Sequence, residues 1–268
     1  MAVKLFVTDL DGTLLPTGNK VSEQNIQAVQ EAAAHGVVVT IATGRMYRAA
    51  LPIAKSLGVD VPIITYNGAL IKSVQGEVFY TNYLRPEHIL EVVDFCQGKG
   101  WHLNLYSNDE LCFAEENDYS KLYEAAQKLK GKAVGWDGLR KCTEHVTKLL
   151  VISDSQEETD ERIRILQSEL SGKVSVMRSN PLYTEIINPG VSKAAGIERL
   201  ARSLGIDMAD TMAIGDSDND LPMLKAAGRS IAMGNALPRV KDVCDYVTGD
   251  CEADGFAEAV RQYVLPKA

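Results

Sequence analysis

The stretch Val3-Lys4-Leu5-Phe6-Val7-Thr8-Asp9-Leu10-Asp11-Gly12-Thr13-Leu14 constrains the chain more than any other. Its apolar, β-branched run predicts a strand buried on both faces, as in a parallel sheet. The run stops abruptly at Asp-x-Asp-Gly-Thr, so both acids fall in the loop at the strand's carboxyl end. Ligands of open α/β sheets bind at that end. Gly12 lets the backbone turn sharply there. Taken alone, Asp-x-Asp-Gly also describes a common solvated turn, and only the rest of the chain decides between the two readings.

The order of elements around this strand is informative. Residues 22–35 predict a helix, with Ser22 as N-cap, Ile26, Val29 and Ala33 at helical spacing and Gly36 as its end. Residues 37–42 form a second apolar run that ends in Thr43-Gly44-Arg45, and a helix follows to about residue 57. Residues 62–66 form a third run, ending in Asn67-Gly68. This β-α-β-α-β order predicts a doubly wound parallel sheet with right-handed crossovers. Val74-Gln75-Gly76-Glu77 then reads as a hairpin turn.

The pattern changes near Leu84-Arg85-Pro86. Residues 86–99, 118–130 and 157–170 read as helices, and 101–106, 111–114, 148–152 and 174–177 as strands. Doubly wound order returns after Asn188-Pro189-Gly190, with a helix over 192–204 and a strand over 211–214. That strand ends in Gly215-Asp216-Ser217-Asp218-Asn219-Asp220. The fold expected is α/β: a Rossmann-like core from residues 1–84 and 184–268, with residues 85–183 inserted as an α+β domain.

Composition narrows the function. The 268 residues are 46% hydrophobic and 24% charged, an ordinary globular balance. A net charge of −8 without a basic run argues against nucleic acid as a partner. No apolar stretch is long enough to span a bilayer, and Met1-Ala2-Val3-Lys4 lacks the parts of a signal peptide. Five scattered cysteines (Cys96, Cys112, Cys142, Cys244 and Cys251) suit reduced thiols. A cytoplasmic protein is expected, and its oligomeric state, monomer or homodimer, stays open.

In one parallel sheet the strand ends and helix starts would bring together Asp9 and Asp11, Thr43 and Gly44, Lys193, and Asp216 with Asn219 and Asp220. Carboxylates alone repel a phosphate dianion; two unit charges at about 4 Å interact by roughly 4 kcal/mol at an effective dielectric near 20. A divalent cation removes that objection. Asp9 and Asp216 supply the hard oxygen ligands that Mg²⁺ takes. Lys193 adds a point charge, Thr43 a hydroxyl, and the turn at Gly44 backbone N–H groups. A carboxylate in such a field can attack phosphorus, while Asp11 can protonate the leaving oxygen and later deprotonate water.

On the motifs Asp9-Leu10-Asp11-Gly12-Thr13-Leu14, Thr43-Gly44-Arg45, Lys193 and Gly215-Asp216-Ser217-Asp218-Asn219-Asp220, the chain resembles the haloacid dehalogenase-like phosphatases. The insert's position, Tyr66-Asn67-Gly68-Ala69 and Asp254-Gly255-Phe256-Ala257 resemble the Cof-like branch, with its large α/β (type IIB) cap. The resemblance implies Asp9 as nucleophile and Mg²⁺ ligand. It implies Asp11 as general acid/base that also offers its carbonyl to the metal, and Asp216 as a further ligand. Leu10 (through its N–H), Thr43, Gly44, Lys193 and Asn219 would bind phosphate, with Asp220 and Asn67 in support.

The substrate expected is a small phosphorylated metabolite, with sugar phosphates foremost. A phosphomutase shares the core motifs but needs an additional phosphate site in the cap, where no compact Arg/Lys cluster occurs. A regulatory module on an inactive core is the other alternative, and the intact acid and lysine set argues against it. Arg45 is open between a site residue and an ion-paired helix residue. Asp218 reads as an exposed loop acid, the four histidines lack metal-ligand spacing, and Trp101 and Trp136 read as packing residues.

Overall fold

The structure, a computed structural model, describes residues 3–17 and 20–265. The chain forms two compact units. The first takes the segments up to Arg45, Ala50–Tyr80 and Ser192 onward; the second takes Met46–Ala49 and Thr81–Val191.

The first unit begins with β1 (Leu5–Thr8), α1 (Glu23–Ala34), β2 (Val38–Ile41), α2 (Tyr47–Ser56), β3 (Ile63–Thr65), β4 (Leu70–Lys72) and β5 (Val78–Thr81). All four residues of β1 are buried, because strands pack on both of its edges and apolar residues on both of its faces. Helix α1 starts where Ser22 accepts the Asn25 N–H at 3.1 Å. The third apolar run is shorter than its sequence suggests. Tyr66 and Asn67 both adopt positive φ, so the chain turns at residue 66 and then runs back as β4, antiparallel to β3.

The second unit contains α3 (Pro86–Lys99), β6 (Leu103–Ser107), β7 (Glu110–Phe113), α4 (Asp118–Gln127), β8 (Lys132–Ala133), α5 (Gly135–Lys141), β9 (Val146–Ile152), α6 (Gln156–Glu169), β10 (Ser175–Asn180) and β11 (Tyr183–Ile187). Its sheet runs β10-β11-β9-β6-β7-β8. Pro86 opens α3, and Gly100 closes it in the left-handed conformation. Asn117 and Ser120 cap α4 reciprocally. The core forms where Ile89, Val92, Val93 and Leu166 of the helices meet Leu105, Leu149 and Ile186 of the strands. Leu139 of α5 belongs to the same core. Beta pairing also moves one edge of the unit. Tyr183 is the first residue of β11, which pairs with β9 and β10, so the unit runs on past residue 183 to Val191. Helix α4 ends at Gln127, earlier than its sequence suggests, because Lys128 takes the left-handed cap position.

Opposite that core, β9 and β11 carry a buried ion pair. Lys148 (2% exposed) reaches Glu185 (3% exposed) at 2.9 Å, and its Nζ lies 4.9 Å from the Tyr106 ring centroid.

The chain then returns to the first unit through α7 (Lys193–Ser203), β12 (Thr211–Gly215), α8 (Leu221–Ala226), β13 (Arg229–Ala232), α9 (Pro238–Lys241), β14 (Tyr246–Val247) and α10 (Gly255–Ala259), which continues as a π-helical turn over Val260–Val264. The sheet order is β14-β13-β12-β1-β2, all parallel, which makes β1 the strand between the two halves of the sequence. Strand β3 extends the sheet through a parallel bridge between Ala42 and Ile64. Among the described residues no helix is long and apolar enough to cross a membrane.

Truncating the second unit's core tests this packing. Leu149→Ala should lower stability by about 2–5 kcal/mol, read from a urea midpoint. Leu122→Ala, at a side chain on a residue 71% exposed, should stay within about 0.5 kcal/mol of the parent.

Candidate active site

The site is built at the carboxyl ends of β1 and β12. Asp9 follows β1 directly, is buried, and donates its N–H to the Ile214 carbonyl at 3.1 Å, which prolongs the pairing of the two strands. The next turn is tight. The Leu10 carbonyl accepts from the N–H groups of Thr13, Leu14 and Leu15, and the Gly12 N–H donates to the Leu15 carbonyl at 3.1 Å. Gly12 has φ +80°, and a Cβ there would lie 2.6 Å from Asp216 Oδ2. A side chain at residue 12 would thus occupy the space between the ends of β1 and β12. The Thr13 hydroxyl donates to Asp216 Oδ1 at 3.0 Å and ties the loops together.

Lys193 supplies the central cation. Ser192 caps α7 by accepting the Ala195 N–H at 3.1 Å, which makes Lys193 the first helical residue. Its fully buried ammonium donates to Asp9 Oδ1 at 2.5 Å and to Asp220 Oδ1 at 2.6 Å. Asp220 is also fully buried. Its Oδ2 accepts the N–H groups of Asp216 and Ser217, both at 3.0 Å, and the Ser217 hydroxyl at 3.2 Å. Both Asp220 oxygens are therefore engaged in shaping the loop and holding Lys193.

Three acids surround this one lysine. Burial pushes the Asp9 carboxyl well above the usual carboxylate range; the Asp220 charge adds to this and Lys193 opposes it. Burial, with the Asp220 charge behind it, raises Asp216 to about 7. Burial works against the charge of Lys193, but Asp220 and Asp9 outweigh it and hold the ammonium above its ordinary value. Asp9, Asp216 and Asp220 each bring an oxygen within 4.8 Å of the other two. An all-oxygen, carboxylate-rich donor set fits a hard divalent cation. With Asp220 engaged elsewhere, Asp9 and Asp216 are the pair suited to ligate it.

The second strand end supplies the other groups. The Thr43 N–H donates to the Ile64 carbonyl at 2.9 Å, and the buried Thr43 hydroxyl accepts the Arg45 N–H at 3.1 Å. A Cβ at Gly44 would lie 3.1 Å from Asn67 Oδ1, so Gly44 packs directly on that carboxamide. Asn67 is buried at φ 56°, and its N–H donates to the Thr43 carbonyl at 2.9 Å. Asn219 reaches Asn67 Oδ1 at 3.5 Å and accepts the Ser217 hydroxyl at 2.7 Å. Contacts thus run unbroken from Gly44 through Asn67, Asn219 and Ser217 to Asp220 and Lys193. Asp218 turns outward and pairs with Arg239 at 2.5 Å.

Arg45, left open by the sequence, is buried and binds Asp11 with two donors; its Nε lies 2.8 Å from Asp11 Oδ2. Thr13, Ser217 and this use of Arg45 are the residues that sequence reasoning passed over. Each lies inside a recognised motif, but only the folded loops show what it touches. Lys193→Met tests the charge cluster. It leaves two buried carboxylates without their cation and should cost about 3–5 kcal/mol in urea unfolding of metal-free protein.

The model for the haloacid dehalogenase-like hydrolase family matches residues 6–260 of the chain. The Bacillus subtilis (strain 168) protein YcsE, a 5-amino-6-(5-phospho-D-ribitylamino)uracil phosphatase, is 32% identical over 266 residues, 98% of this chain and 96% of that one. An HMP-PP phosphatase of Yersinia pseudotuberculosis serotype O:1b (strain IP 31758) is 30% identical over 267 residues, 97% of this chain and 95% of its own. The solved structure of BT4131, a subclass IIB sugar phosphatase, superposes with a TM-score of 0.85 at 27% identity, over 97% of this chain and 99% of that one.

Proposed function

The chain belongs to the haloacid dehalogenase-like hydrolases, in the Cof-like branch, as a phosphatase of small phosphorylated metabolites, and from that premise we propose a Mg²⁺-dependent reaction through an aspartyl phosphate on Asp9. The observation that carries this reading is the buried Asp9–Lys193–Asp220 cluster with Asp216 beside it.

Asp9 and Asp216, with the Asp11 carbonyl, would hold the metal, whose charge offsets the repulsion between the carboxylates and a phosphate dianion. Thr43, Gly44, Lys193, Asn219 and the Leu10 N–H bind the phosphoryl oxygens. One Asp9 oxygen attacks phosphorus, the ester P–O bond breaks, and Asp11 gives a proton to the leaving alkoxide. A water then attacks the aspartyl phosphate as Asp11 takes its proton, releasing inorganic phosphate and restoring Asp9.

The pair with Arg45 uses the carboxylate form of Asp11, which is the form the water step needs. The acid step needs a proton on Asp11, which occupies one of its two oxygens, so the two-donor pair with Arg45 must loosen at that oxygen. Arg45 is buried whereas the Asp11 side chain is 54% exposed, so the movement falls to Asp11.

The inserted segment, residues 85–183 with β11 completing its sheet, is read as the cap that selects the leaving group. Sugar or polyol phosphates are the substrate class proposed. Two similar proteins support this, since one acts on a substrate that carries a phosphoribityl chain and the other is a sugar phosphatase. The names of the relatives also favour hydrolysis over the mutase alternative.

Two expectations follow from the mechanism. Asp9→Asn should abolish turnover in folded protein, and EDTA should remove parent activity that Mg²⁺ restores; full activity in metal-free protein would contradict the reading. Asp11→Asn should lower kcat/KM by about a hundred- to ten-thousandfold for a sugar phosphate. The loss should be much smaller for p-nitrophenyl phosphate, whose leaving group needs little protonation, and equal losses would remove Asp11 from the acid role.

A further inference from the structure

Gly12 separates Asp11 from Thr13, and both neighbours of its peptide groups bear on the site. Its own N–H is held within the loop by the Leu15 carbonyl. Its carbonyl is held from the far end of the sequence: Asn235 Nδ2 donates to Gly12 O at 2.8 Å. The other end of the same carboxamide is also engaged, as Asn235 Oδ1 accepts the Cys251 N–H at 2.9 Å. One side of the amide faces a carbonyl and the other an N–H, so its orientation follows from its partners.

The segment on which Asn235 rests is itself anchored. Gly234 donates to the Gly249 carbonyl at 2.8 Å, and a Cβ at Gly234 would lie 2.8 Å from the Asp250 nitrogen. Glu252 accepts the Thr17 N–H at 2.7 Å, and Asp254 accepts the Ser22 hydroxyl at 2.5 Å. Asn235 and Asp11 line the same open cavity of about 480 Å³, with Asp250 and Glu252. Glycine at φ +80° has a broad range of backbone conformations. Pinning both its N–H and its carbonyl selects one of them, and with it the direction in which the Asp11 side chain leaves the loop.

We propose that Asn235 is a positioning residue for Asp11, its carboxamide bracing the Gly12 peptide against the Cys251 segment. This rests on the reading of Asp11 as general acid. An aspartate at residue 235 cannot substitute, because it keeps the acceptor for Cys251 but turns a carboxylate oxygen toward the Gly12 carbonyl. Asn235 is exposed, so its replacement leaves no cavity in the core.

The test compares N235A and N235D, each alone and with D11N, on a sugar phosphate and on p-nitrophenyl phosphate. Urea midpoints are recorded for every variant. Both single variants should lose about ten- to hundredfold in kcat/KM on the sugar phosphate and less than about threefold on p-nitrophenyl phosphate. In the D11N background neither should lower the sugar phosphate rate further. Equal losses on the two substrates, or losses that add fully to D11N, overturn the inference. If D11N discriminates between the substrates and the Asn235 variants do not, the reading of Asp11 stands and the role of Asn235 falls. If D11N itself does not discriminate, both fall.

Discussion

A single buried ammonium group holds this site together. Lys193 lies between Asp9 and Asp220 with no exposure of its side chain. Two buried carboxylates without it would leave charge that water cannot reach, at several kcal/mol for each ion. Its placement depends on how closely α7 approaches the β3–β4 turn. A side chain at Gly68 would drive into the Ser192 carbonyl, the residue that caps α7, and a Cβ at Gly196 would lie 2.6 Å from Ile64 Cγ2. Small residues there let the helix start where the lysine must stand.

The cluster divides its acids by use. Asp220 gives both oxygens to the protein and acts as scaffold, whereas Asp9 and Asp216 keep the strand-end positions suited to a cation. Asp11 differs again: it is exposed and paired with Arg45. Four aspartates thus sit in three environments, set by burial and by their hydrogen-bond partners rather than by residue type.

Much of this was legible in the chain itself. The β1 run and the motif at its end, the cap and stop of α1, and the span of α3 from Pro86 to Lys99 are local signals, and each matches an observed element. What escaped depends on distant partners. Strand β11 was hidden because Glu185 interrupts its apolar pattern; the charge is compensated by Lys148, 37 residues earlier. Helix α5 contains Gly135 and Gly138 in seven residues, so propensity alone would not suggest it. Arg45 had no visible partner until the loops folded, and the contact that Asn235 makes lies 223 residues away at Gly12. In the site, residue types were readable from the sequence, but their hydrogen-bond assignments were not.

The position of β1 between β2 and β12 also bears on how the chain is made. Lys193 lies 184 residues after the Asp9 it neutralises, and β12, which flanks β1, follows Lys193. At ribosomal rates of about 5–20 residues per second, roughly ten to forty seconds separate synthesis of Asp9 from that of its counter-charge. The inserted unit has its own sheet and core, and all of it is synthesised within that interval. The nascent chain therefore carries an unfinished sheet edge and an acid without its counter-charge until Lys193 emerges, and the site assembles only once β12 has followed it.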